Sequence, residues 1–315
     1  MFSIKFSVLL FITYIVCVCT NLKQSSCDSI VAFGDSHTDT GNVYNLTQFQ
    51  WPLVPPYYQG RFTNGPVWID ILNSFQIMNY AYGDAAIDSA NLIIGFTGPN
   101  RTVMVPSIRQ QIVLYLADTI LDTSDLSATI YIIWSGGNEY LINSSVSSSI
   151  VVGALLNAVY DLLAIEIQQL IVVNLPPLQL FPGTNDTQRL GALVNEHNNY
   201  LLSNITIIQS KFPKASLRVF DLYSIITDIL SNNSVFQLNK MNKCWNIVNS
   251  IVISQCTDPD TYVFIDDYHF TSVIHQIIAD SINQFILSSS SGNFASSKFY
   301  IYSCLSLFII KKFST

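Results

Sequence analysis

Serine, histidine and aspartate stand in this 315-residue chain in an order that could make a nucleophile. The stretch Phe33-Gly34-Asp35-Ser36-His37-Thr38-Asp39-Thr40-Gly41-Asn42 puts a serine in a tight turn directly after an apolar run. A serine hydroxyl attacks poorly until a neighbouring base takes its proton, and the base needs a carboxylate to orient it. Asp266-Asp267-Tyr268-His269 offers both partners. Asp266 can fold back onto one imidazole nitrogen and leave the other for Ser36. Charge developing on a reacting oxygen also calls for aimed donors. Trp134-Ser135-Gly136-Gly137-Asn138-Glu139 supplies a side-chain amide at Asn138, beside glycines that let backbone approach a ligand closely. Asn79-Tyr80-Ala81-Tyr82-Gly83-Asp84-Ala85 is a further turn able to present a backbone N–H. Each segment alone also fits a plainer role as helix cap, surface charge or turn. His37 would point away from the target of Ser36 and reads as pocket wall. His197 and His275 lie on helical patterns and read as structural or exposed. Trp51, Tyr57, Tyr58 and Phe62 either line a substrate site or pack a long loop.

The elements that must position these residues are legible as alternating patterns. Short runs at 29–33, 78–82, 128–134, 170–174 and 216–220 are rich in β-branched or aromatic residues and close on Gly, Pro or Asp. Helical patterns lie between and after them, at 67–75, 107–121, 149–168, 187–211 and 271–287. Strands apolar throughout are buried on both faces. The alternation therefore predicts an α/β fold, a parallel sheet with helices on both sides. Ligands in such sheets bind beyond the carboxyl ends of the strands. The Ser36, Gly83 and Asn138 segments follow the first three runs in order, and His269 stands just before the last helix. That joint placement singles them out.

Together these blocks resemble the GDSL esterase/lipase family, the SGNH hydrolases, over about 29–287. Gly34-Asp35-Ser36 and its continuation Thr38-Asp39-Thr40-Gly41-Asn42 are similar to the nucleophile block, and Asp266-x-x-His269 to the last block. Gly60-Arg61-Phe62-Thr63-Asn64-Gly65-Pro66-Val67-Trp68 resembles the secreted plant and fungal branch, and Asn174-Leu175-Pro176-Pro177 is also familial. The resemblance implies a three-layer α/β/α, flavodoxin-like fold on a five-stranded parallel sheet. It implies Ser36 as nucleophile, His269 as base and then acid, and Asp266 as its orienter. The N–H of Ser36, a backbone N–H at Gly83 and the Asn138 side chain would form the oxyanion hole. The implied reaction is hydrolysis of a carboxylic ester through an acyl-enzyme, without metal or cofactor, by a monomer. The substrate would be an acetylated carbohydrate or a short-chain acyl or lipid ester; no dedicated lid segment is evident, which favours small soluble esters.

Three departures stand out. Gly83-Asp84 replaces the usual Gly-Gly. The donor there is a backbone N–H, so Asp84 does not abolish it, though its charge would oppose an oxyanion; alternatively Gly83 donates with a change of register. Glu139 replaces an Asp, and Phe270 replaces a Pro after His269. Two other readings stay open: a catalytically impaired member that binds glycan or lipid at a cell surface, and an acyltransferase on the same triad.

Composition narrows the setting. Half of the residues are apolar and 11% are charged, against about 25% in an average domain. Acids outnumber bases 21 to 14, which argues against nucleic acid as a partner. The apolar content argues against disorder. Lys5, an apolar stretch at 6–19 and small residues near Cys17 and Cys19 predict a signal peptide over 1–20. The alternative is an uncleaved anchor, for which the stretch is short of the roughly 20 residues of a span. The catalytic domain is expected over 27–287. A Ser-rich linker and apolar tail at 288–315 have the order of a GPI signal and hence of membrane attachment, although Lys311-Lys312 weaken the match; the alternative is a frayed terminus. These flanks hold four of the 14 bases and none of the 21 acids, so the low charge density belongs to the body. Cys244 and Cys256 bracket a short loop and are expected to pair, leaving Cys27 unassigned. Sequons begin at Asn45, Asn100, Asn143, Asn185, Asn204 and Asn232. The expectation is an exported protein, secreted or held at the cell surface.

Overall fold

The computed structural model describes residues 28–119, 128–143, 145–231, 238–248 and 250–290. The expected signal peptide, Cys27, the sequon Asn232 and the apolar C-terminal tail lie outside the described residues.

In chain order the elements are β1 (Ser29–Gly34), α1 (Asn42–Leu46), α2 (Trp68–Ile71), β2 (Gln76–Asn79), β3 (Phe96–Thr97), β4 (Val103–Met104), α3 (Ile108–Thr119), β5 (Thr129–Trp134), α4 (Gly137–Ile142), α5 (Ser148–Leu163), β6 (Gln169–Val173), α6 (Thr187–Lys211), β7 (Ser216–Phe220), α7 (Leu222–Leu230), β8 (Asn239–Lys243), β9 (Trp245–Val248), β10 (Ile251–Gln255), β11 (Tyr262–Phe264) and α8 (Ser272–Ser290). Five strands form one parallel sheet in the order β2-β1-β5-β6-β7. All six residues of β5 are buried, as are the last five of β1. A sheet so apolar needs a helical layer on each face. On the described residues α3 packs on α5 and α5 on α6, while α2 packs on α8. The result is the three-layer α/β/α arrangement. The strand order reverses between β1 and β5, which opens a crevice at their carboxyl ends.

Local chemistry sets where elements stop. β2 ends at Asn79, short of the expected 82, because the Asn79 side chain accepts the Ala81 N–H at 3.0 Å and turns the chain out of the sheet. The expected helix at 67–75 shrinks to one turn ending at Ile71, where Leu72 leaves the helical conformation at a ψ of 53°. The helix expected to reach 168 ends at Leu163, and Glu166 then takes a left-handed φ of 61°. The helix expected at 187–211 spans those residues, with Asp186 capping the Arg189 N–H. Short elements that periodicity does not reveal include α1, α4, α7 and the strands β8–β11. Among these, β9 and β10 form an antiparallel hairpin, and Cys244 bonds to Cys256 across its base. No helix among the described residues is long and apolar enough to cross a membrane.

Candidate active site

The nucleophile turn is built on the end of β1. A Cβ on Gly34 would meet the Trp134 carbonyl at 2.9 Å, so the adjacent strand leaves no room for a side chain. Gln111 of α3 clamps the same residue: its Oε1 accepts the Gly34 N–H at 3.0 Å, and its Nε2 donates to the Gly34 carbonyl at 2.9 Å. The turn itself closes when Thr38 N–H and Asp39 N–H both donate to the Asp35 carbonyl. Ser36 sits at its head, mostly buried. Its N–H has no hydrogen bond among the described residues.

His269 reaches Ser36 from across the chain. Its Nε2 lies 2.9 Å from Ser36 Oγ, and its Nδ1 lies 2.8 and 2.9 Å from the Asp266 oxygens. Ionised Asp266 can only accept, so the proton is assigned to Nδ1 and Nε2 is left to accept from the serine. Asp266 Oδ1 also accepts the N–H groups of Tyr268 and His269, each at 2.9 Å. The segment is folded back by Ile265 N–H donating to the His269 carbonyl at 2.8 Å. Burial alone would raise the Asp266 pKa, but the His269 charge and hydrogen bonds from His269, Tyr57 and the backbone hold it below the usual carboxylate value. Burial alone would lower His269; the Asp266 charge and hydrogen bond, helped by Asp84 and Asp35, outweigh it and raise the imidazole above its ordinary 6.5.

Asn138 opens α4, beyond β5, and donates one Nδ2 hydrogen to the Ala85 carbonyl at 2.8 Å. The amide has a second hydrogen to offer. Its neighbour Glu139 is fully buried, accepts the Ile87 N–H at 2.6 Å, and is pushed by burial to a pKa of about 7.

Gly83 corrects an expectation. Its N–H is not free: it donates to Asp39 Oδ2 at 2.8 Å. Asp39 also accepts the N–H groups of Gly41, Asn42 and Val43 at 2.7, 2.6 and 3.1 Å, so this buried carboxylate ties the nucleophile turn to the second block. Burial pushes it up to about 6 despite these donors. Gly83 is glycine for room: a Cβ there would lie 2.3 Å from the Phe62 ring, which stacks on His269 at 5.2 Å. The adjacent Asp84, at a left-handed φ of 64°, has no hydrogen bond on its N–H among the described residues. Its carboxylate faces Arg101 at 3.4 Å and Thr97.

Of the aromatic candidates, Phe62 packs on His269 and Trp51 lies edge-on to Phe62. Tyr57 is buried and donates its O–H to Asp266 Oδ2, so it braces the carboxylate and does not line an open pocket. Tyr58 lies beneath the Arg61 guanidinium. His37 packs between Trp134 and Phe270, with its Nδ1 3.4 Å from Asp35. His197 and His275 are both buried; the first bonds the Tyr140 hydroxyl at 2.8 Å and the second accepts the Trp68 N–H. The parts that sequence reasoning missed are Gln111, the hub at Asp39 and the Tyr57 hydroxyl. Their partners lie 77, 44 and 209 residues away in the chain, beyond any local pattern. Among the described residues no group of three or more His, Cys, Asp or Glu side chains is arranged to hold a metal ion.

The chain is similar to several known proteins. The chain is 28% identical over 226 residues to the phosphatidylcholine-sterol acyltransferase of Aeromonas hydrophila, a match covering 69% of this chain and 65% of that protein. This chain thus spans just under two thirds of that relative's length. It is 23% identical over 328 residues to sinapine esterase of Brassica napus, covering 81% of this chain and 84% of the relative. Among solved structures it is similar to the aryl esterase of M. smegmatis, with a TM-score of 0.43, 14% identity and coverage of 83% and 99%. Residues 30–282 match the family model described as GDSL-like lipase/acylhydrolase, and the chain belongs to that family.

Proposed function

We propose that the protein is an exported serine ester hydrolase that works through an acyl-enzyme on Ser36. The observation that carries this is the relay from Ser36 Oγ to His269 Nε2 at 2.9 Å, with the far nitrogen held by Asp266. Ser36 Oγ attacks the ester carbonyl carbon while its proton passes to His269. The tetrahedral oxyanion is held by the Ser36 N–H and the second Nδ2 hydrogen of Asn138, with the Asp84 N–H in place of Gly83. Arg101, 3.4 Å from the Asp84 carboxylate, offsets part of its charge and so lessens its opposition to an oxyanion. Collapse expels the alcohol, which takes the proton from His269. Water then attacks the acyl-enzyme with His269 again as base.

The substrate class is a carboxylic ester: an acetylated carbohydrate, or a short-chain acyl or lipid ester. A second reading, acyl transfer, draws on the acyltransferase name of the Aeromonas relative. Product analysis with an added alcohol acceptor separates the two, since transfer yields a new ester and hydrolysis only the free acid. Export is supported by the Cys244–Cys256 bond, which persists in oxidising compartments. The sequon residues Asn45, Asn100, Asn143 and Asn185 are exposed and open to glycosylation, while Asn204 is half-buried in α6. The deciding experiment compares the protein with Ser36→Ala on a short-chain chromogenic ester, with fluorophosphonate labelling of Ser36 alongside. Equal rates for the two proteins overturn the assignment.

A further inference from the structure

Asp266 accepts from one more side chain than a serine–histidine–aspartate relay needs. Tyr57, 5% exposed, directs its O–H at Oδ2, an oxygen that also faces His269 Nδ1. A buried phenol needs a hydrogen-bond partner, and this one finds it in the carboxylate beside the reacting centre. Tyr57 is itself held. Its N–H donates to the Leu53 carbonyl at 3.0 Å. Its ring meets the Trp245 ring edge-on at 5.1 Å. Trp245 in turn donates its N–H to the Ile265 carbonyl at 2.7 Å, one residue before Asp266. Cys244, next to Trp245, donates its N–H to the Phe264 carbonyl at 3.0 Å and is bonded to Cys256. The base of the β9–β10 hairpin is thus stitched along the strand end that carries Asp266.

We infer that Tyr57 is a positioning residue for Asp266, and that the disulfide-closed hairpin keeps Tyr57 in place through Trp245. The inference rests on the reading of Ser36, His269 and Asp266 as the catalytic relay. The physical reason is twofold. A second donor fixes the plane of the carboxylate, so the imidazole cannot swing away from Ser36. The same donor stabilises the carboxylate charge and so tempers its pull on the His269 proton. The other charged or titratable groups facing this pair are Asp84, Asp35, His37 and His275 on the imidazole side, and on the carboxylate side Tyr268 and Asp267, the latter paired with Lys243 at 2.7 Å. None of them takes the place of the Tyr57 hydroxyl. Burial and the Asp266 charge push the Tyr57 phenol well above its ordinary value, so it remains a donor across the working range.

The test uses the full chain with a chromogenic ester and compares wild type, Tyr57→Phe, Trp245→Phe and Ser36→Ala. Phe at 57 keeps the ring against Trp245 and removes only the hydroxyl. The expected result is a folded protein with KM little changed and kcat down by roughly tenfold, the scale of losing one hydrogen bond to a charged group. The acid limb of kcat/KM moves to higher pH, because an Asp266 with one donor fewer holds the His269 proton more tightly. Trp245→Phe gives a smaller shift in the same direction. A Tyr57 with a merely structural role would lower the melting temperature and leave the acid limb in place. A wild-type kcat and acid limb in Tyr57→Phe, with Ser36→Ala inactive, overturns the inference and spares the catalytic reading. An active Ser36→Ala overturns the catalytic reading on which it rests. A serine replacement of both Cys244 and Cys256 with a wild-type profile overturns the role of the hairpin alone.

Discussion

Two glycine-block residues divide between them what one was expected to do. Gly83 is small because Phe62 must pass over it to reach His269, and its amide is committed to Asp39. Asp84 then carries an N–H without a hydrogen bond among the described residues, and adds a carboxylate that bears on His269. Its charge is one of those that raise the imidazole, so Asp84→Asn is expected to move the acid limb of kcat/KM to lower pH in a pH–rate profile. In wild type the base must be neutral, and its pKa lies above 6.5. Activity therefore falls as pH drops through a value above that of free histidine. Asn138→Ala removes an aimed donor while leaving the relay intact. The expected loss is about 10²–10³ in kcat with little change in KM, measured by steady-state kinetics; a loss confined to KM would remove Asn138 from the oxyanion role.

At the scale of elements, the site depends on how the end of β1 is held. Gln111 satisfies both the N–H and the carbonyl of Gly34 from inside α3. Gln111→Leu takes the acceptor from the buried Gly34 N–H, while the Gly34 carbonyl keeps the Tyr82 N–H at 3.2 Å, so the cost is about 1–3 kcal/mol for the one amide left unpaired. Denaturant unfolding is expected to show a lower midpoint with an unchanged slope. The same variant should lose activity beyond what instability explains, since Ser36 is two residues from the clamp. The reversal of strand order between β1 and β5 does the larger work: it sets the Ser36 turn and the N-terminus of α4 on two sides of one crevice.

At the scale of the whole molecule, burial of carboxyls shapes stability against pH. Glu139 has a folded pKa of about 7 against 4.5 in the unfolded chain. An acid raised on folding favours the folded state at low pH, and that contribution is lost as pH rises through the folded value. Glu139→Gln is therefore expected to lessen the decline in melting temperature between about pH 5 and about pH 8. An identical decline in both proteins would show that folding does not raise the Glu139 pKa. Closing the loop between Cys244 and Cys256, 12 residues apart, contributes about 3 kcal/mol in the chain-entropy account. Reduction should lower the melting temperature as well as act on the site.

The sequence by itself determined the fold class and singled out the candidate site residues. Strand and helix periods are local, and a serine turn, an Asp-x-x-His segment and a Gly-Gly-Asn turn are each readable within ten residues. Ser36, Asp266 and His269 were found that way, as were the order of the sheet's strands along the chain and the bond between Cys244 and Cys256. What only the tertiary structure decided are the partners joined across the chain. Whether Gly83 or Asp84 has a spare N–H depends on Asp39, and what Tyr57 does depends on a carboxylate 209 residues away. No period or spacing encodes such pairs, because a buried hydrogen bond is fixed by where two surfaces meet once the core has packed.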